Sequence, residues 1–108
     1  MKLTEIGTRP AIANGSGLSF FVPPSWMSHN EIEYGASVFL QHRIGEELRY
    51  HLTPGPGRKV LLLRWRPPTS AILSLPMDAA RDLGIVEGSV LELSMMGNGT
   101  LVVRRQDP

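Results

Sequence analysis

Ala71-Ile72-Leu73-Ser74-Leu75-Pro76, followed by Met77-Asp78-Ala79-Ala80-Arg81-Asp82-Leu83-Gly84-Ile85, decides the fold of this chain. Five mainly apolar residues halted by a proline describe a strand. The alanines after it, with Asp78 in the first turn, describe a short helix that Gly84 stops. Glu87-Gly88 then turns the chain into a third strand over Val90–Met95, and Gly97-Asn98-Gly99 is a hairpin turn returning a fourth strand over Thr100–Arg105. Upstream, Val60–Arg66 alternates so that Arg64 and Arg66 fall on one side and Leu63 and Trp65 on the other, and Pro67-Pro68-Thr69 breaks it before Ser70. Residues 58–108 therefore read as a ββαββ unit.

Thr53-Pro54-Gly55-Pro56-Gly57 has no apolar periodicity and reads as a turn or linker, residues 54–57 dividing a first unit, 1–53, from the second. An offset of 53 pairs Pro23 with Pro76, Ile32 with Ile85, Gly35 with Gly88, Leu40 with Leu93 and Leu48 with Leu101. The same element order can be laid over the first half. Strands are expected at Thr8–Ala13, Leu18–Val22, Ser37–Arg43 and Glu47–Leu52, with Asn14-Gly15-Ser16-Gly17 as a loop. Pro24–Asn30 takes the helix position, as a short helix or a 3₁₀ turn, since Ser25, Ser28 and Asn30 are indifferent helix formers.

These residues carry a resemblance. Ala71–Pro76, the helix ending Asp82-Leu-Gly-Ile85, Glu87-Gly-Ser-Val-Leu-Glu-Leu93 and the Gly-Asn-Gly turn before Leu101-Val-Val103 resemble the AbrB/MazE/SpoVT swapped-hairpin domain, and Asn14–Pro23 is similar to its opening. The family commonly has an acidic residue after the turn glycine, where this chain has Ser89 and Ala36. The resemblance implies a mostly β fold with short helices. Its swapped-hairpin β-barrel would be formed by two ββαββ repeats, as a pseudo-dimer within one chain or by exchange between chains of a homodimer. A unit of about fifty residues is too small to bury its sheet alone.

The chain has 108 residues, 42% hydrophobic and 19% charged, which is enough apolar material for a folded domain. It contains no cysteine, so disulfides, thiolate metal clusters and a cysteine nucleophile are excluded. Met1–Pro10 lacks an apolar signal core and the longest purely apolar run is Val60–Leu63, so the expected location is cytoplasmic, with no membrane partner. The net charge of +1 conceals unlike halves. Lys2, Arg9, Arg43 and Arg49 face Glu5, Glu31, Glu33, Glu46 and Glu47 in residues 1–57, giving −1; residues 58–108 carry +2. An anionic partner should prefer the second half.

The resemblance implies a DNA-binding transcriptional regulator, with double-stranded DNA as partner, or alternatively an antitoxin that binds a toxin or other protein. The surface it implies comprises Arg64, Arg66, Thr69, Ser70 and Arg81, with Arg9, Asn14 and Ser16 in the first half. Paired arginines can grip phosphates or a guanine edge, and hydroxyls can fix register. A solvated strand face accounts for Arg64 and Arg66 equally well. Arg104 and Arg105 read as a soluble strand end, Trp26 and Trp65 as packing anchors, and His29, His42 and His51 as surface histidines without metal-ligand spacing. Glu87-Gly88-Ser89-Val90 faintly resembles the self-cleaving serine of pyruvoyl-dependent decarboxylases. No basic and tyrosyl constellation accompanies it, so no catalytic residue and no cofactor is expected, and the chain reads as a binder and not an enzyme.

Overall fold

The computed structural model describes residues 3–43, 47–55, 57–64 and 70–106. The fold is mostly β, with ten strands in two antiparallel sheets and two short helices among the described residues. In chain order these are β1 (Leu3–Pro10), β2 (Ile12–Asn14), β3 (Gly17–Phe21), α1 (Pro24–His29), β4 (Ser37–Arg43), β5 (Glu47–His51), β6 (Arg58–Leu61), β7 (Leu63–Arg64), β8 (Ala71–Leu75), α2 (Met77–Asp82), β9 (Val90–Met96) and β10 (Leu101–Arg105). The first strand begins earlier than Thr8 and breaks at Ala11. The expected strand from Val60 likewise divides at Leu62. Each break is a point where the chain leaves one sheet for the other.

The larger sheet runs β1-β9-β10-β5-β4-β6 and the smaller β2-β3-β8-β7. Partners in the larger sheet come from far along the chain: β1 pairs with β9, and β4 with β6. At both sheet-crossing points the same bonds recur. Ala11 donates its amide to Ser89 O (2.8 Å) and accepts from Gly88 N (2.8 Å), while Leu62 donates to Ala36 O (2.9 Å) and accepts from Gly35 N (2.7 Å).

Both helices open directly after proline, at Pro23 and Pro76, in extended backbone with no side-chain cap. Pro24 fits the first turn of α1, where its missing N–H is no loss. The expected short helix is present, and it ends with the Asn30 amide and side chain both donating to Trp26 O. The next residue, Glu31, has φ +53, and Gly84 after α2 has φ +70. Ile32 N then bonds Met27 O (2.9 Å) as Ile85 N bonds Ala80 O (2.8 Å). A glutamate in left-handed backbone costs about 1–2 kcal/mol that glycine avoids.

The core lies between the sheets and the helices. Phe20, Trp26, Tyr50, Leu48, Leu73, Leu91, Leu93 and Leu101 are fully buried. Phe20 and Tyr50 meet edge to face at 5.6 Å, and the Tyr50 hydroxyl donates to Ser74 O (2.7 Å). Burial pushes that phenol well above its ordinary pKa. Trp26 fills the packing role expected of it. No helix is long and apolar enough to cross a membrane among the described residues.

Candidate nucleic-acid interface

Of the eight anticipated contact residues, Arg64 and Asn14 lie in strands of the smaller sheet, and Ser16 and Ser70 lie just outside its strands. Leu63 pairs with Ile72 and Arg64 with Ala71, and paired residues share a face. Arg64 therefore lies on the face of buried Ala71, and its guanidinium carbon is 4.6 Å from the centre of the Tyr34 ring. Such a cation–π contact contributes about 0.5–1 kcal/mol at an exposed site. Arg64 borders a cleft of about 420 Å³ with Met27, Ile32, Glu33 and Tyr34. Ser70 is exposed just ahead of β8. Arg66 and Thr69, with Trp65, lie outside the described residues.

Arg81 is exposed in the last turn of α2, where the helix dipole favours a cation. It lies beyond the end of β8 opposite Arg64 and Ser70, so the structure does not gather these three into one patch. In the first half, Arg9 Nη1 donates to Thr8 O (2.7 Å) and Asn14 Nδ2 to Ser19 Oγ (3.3 Å). Ser16 is exposed at the tip of the β2–β3 hairpin, beside Met77 and Val86. This hairpin tip is uncharged.

Arg104 and Arg105, read from sequence as a soluble strand end, are the exposed last residues of β10, and each also has a neighbour from elsewhere in the chain. Arg104 donates twice to Glu47 Oε1 (3.0 and 2.8 Å), and Arg49 Nε donates to Glu47 Oε2. Burial pushes the Glu47 carboxyl up, but hydrogen bonds and charge from Arg49 and Arg104 outweigh that and hold it below the ordinary glutamate range. The Arg105 guanidinium lies against Gly84, where a Cβ would be 3.6 Å from its central carbon. Arg81 precedes that glycine by three residues in the chain, and neither arginine has a carboxylate partner among the described residues. Glycine at 84 was legible as a helix stop; its nearness to residue 105 follows from tertiary packing alone.

Two of the three histidines, His42 and His51, are half-buried and take partners, whereas surface histidines were expected. His42 Nε2 is 2.9 Å from Asp82 Oδ2, and the His51 ring bridges Thr100 Oγ1 (3.2 Å) and Gln41 Oε1 (3.0 Å). Burial, assisted by the Arg49 charge, lowers the His51 pKa. His29 is exposed. No cluster of three or more His, Cys, Asp or Glu able to hold a metal occurs among the described residues.

No curated protein and no solved structure gives a match to the chain. A family model does: residues 69–108, which supply β8, α2, β9 and β10, match the family described as antidote-toxin recognition MazE, bacterial antitoxin.

Proposed function

We propose that the chain is a DNA-binding regulator of the AbrB/MazE kind, a cytoplasmic, non-enzymatic module whose two ββαββ units fold on each other as a pseudo-dimer within one chain. One observation carries the functional reading: in the segment that matches the MazE family, residues 69–108, Arg81 and Arg105 are exposed, and Arg64 is exposed just ahead of it. Exposed guanidinium groups supply phosphate contacts.

Several observations support the duplicated architecture. Both sheet orders keep their form when read from the other end with each first-half strand exchanged for its second-half counterpart. Around the Arg49–Val102 pair, Leu48 faces Val103 and Tyr50 faces Leu101, each the other's counterpart at the offset of 53. Phe20 likewise pairs with Leu73, its own counterpart.

A second reading has an observation of its own. The matched family is described by toxin recognition, which favours a protein partner and an antitoxin role. Binding of the full chain to mixed-sequence duplex across a salt series separates the two. A DNA regulator loses affinity steeply as salt rises, and Arg64→Ala and Arg66→Ala each make the log–log slope shallower by about one. Absence of binding at the lowest salt overturns the DNA reading.

A further inference from the structure

Helices α1 and α2 are followed by the same backbone turn, yet the two turns carry opposite charge. After α2, the Arg105 guanidinium lies against bare Gly84, three residues past the exposed Arg81. Arg104, one residue back on β10, is tied to Glu47, a carboxylate that it shares with Arg49. Among the described residues near this end in the chain or in the sheet are Asp82, which is bonded to His42, the exposed Glu87, and Glu92, opposite Arg104. At the offset of 53, α1 has Ser28 in place of Arg81, Glu31 in place of Gly84, His51 in place of Arg104 and Leu52 in place of Arg105. Ser28 and Glu31 are exposed. His51 is committed to Gln41 and Thr100. One helix end carries exposed arginines; the other presents an exposed carboxylate.

We infer that Arg81 and Arg105 form a phosphate-binding site for duplex DNA at the C-terminal end of α2, and that the α1 end, carrying Glu31, contributes no such contact. The site rests on the DNA-binding reading above and extends it, because Arg105 lies outside the strand and loop positions that the resemblance implied. Both side chains are exposed and take no acid among the described residues, so both have donors left over, and Gly84, lacking a side chain, lets the Arg105 guanidinium lie at the end of α2. A duplex held through one end of a pseudo-symmetric molecule sits in one orientation. The preferred DNA sequence then has no need of an inverted repeat.

The test measures the salt dependence of full-chain binding to a fluorescent mixed-sequence duplex. Each lost phosphate contact lowers the log–log slope by about 0.9, so Arg81→Ala with Arg105→Ala lowers it by about two, and Arg81→Lys with Arg105→Lys restores it. Both side chains are exposed, and an unchanged thermal midpoint verifies that the variants fold. Ser28→Arg with Glu31→Gly builds the missing site at α1 and raises the slope by about one. If the double alanine variant binds with the wild-type slope, the α2 site is overturned while the DNA reading stands. If the Ser28→Arg, Glu31→Gly variant keeps the wild-type slope, the one-sidedness argued from equivalent helix ends is overturned. If the wild type binds no duplex at the lowest salt, the DNA reading itself fails, and the site with it.

Discussion

Trp26 Nε1 donates to the carbonyl oxygen of Gly99 at 2.7 Å, joining α1 to the β9–β10 turn across 73 residues of chain. Both groups are buried, so removing the donor leaves an acceptor without water. Trp26→Phe is expected to destabilise the protein by about 1–3 kcal/mol through the orphaned carbonyl, before any packing loss is added. Chemical denaturation with an unchanged m-value would register it as a shift in midpoint.

A side chain at Gly99 would force its neighbours to move. The φ of Gly99 is +90, and a Cβ there would collide with Asn30 Oδ1 and Leu52 Cδ1. Gly99→Ala is expected to cost more than about 2 kcal/mol, since strain and overpacking add. Gly97, in the same turn, has open space around its Cβ position, so Gly97→Ala serves as the control and should stay within about 1 kcal/mol of wild type.

Glu31 gives the opposite sign. With φ +53 on an exposed residue, Glu31→Gly relieves left-handed strain and is expected to raise stability by about 0.5–1 kcal/mol, part of the gain being lost to the freer unfolded chain. A thermal midpoint that falls would show that the Glu31 side chain holds the turn.

Acid should weaken the fold in two stages. The His51 pKa is lowered in the folded protein, so its contribution is present above the ordinary histidine value and drains away as pH falls below about 6.5. The Glu47 carboxyl is also lowered, so its contribution is held above the ordinary glutamate value and lost below about pH 4.5 as the folded group protonates. His51→Gln should flatten the upper part of the stability profile and Glu47→Gln the lower part, each leaving the other unchanged. Urea unfolding at stepped pH measures both.

The parts of this fold that the sequence makes legible are local. Pro23 and Pro76 mark the ends of strands, Gly84 the end of a helix, and Gly97-Asn98-Gly99 a hairpin, because each restricts its own backbone. The choice of sheet partner has no local signature. Nothing in Leu3–Pro10 announces that its hydrogen bonds go to β9 and not to β2 or β3, and the strand's start at Leu3 was not anticipated for that reason. The same limit applied to the site. Arg64 and Arg81 are recognisable as cations from sequence, but Arg64's contact with Tyr34 and Arg105's position beside Gly84 depend on how distant segments pack. His42 and His51 were misjudged similarly, since Asp82 and Thr100 reach them from the other half of the chain.

The pairing of β1 with β9 and of β4 with β6 bears on how the protein is made. A chain leaving the ribosome delivers β1 first, and its hydrogen-bonding partner is complete only when Met96 has emerged. Until then the amides of Leu3–Arg9 must stay in water or on a chaperone, so the larger sheet closes only after β9 has been synthesised. Contacts this distant in sequence also make folding slow for a protein of this length. Nascent chains arrested before β9 should therefore remain open to protease throughout the first strand.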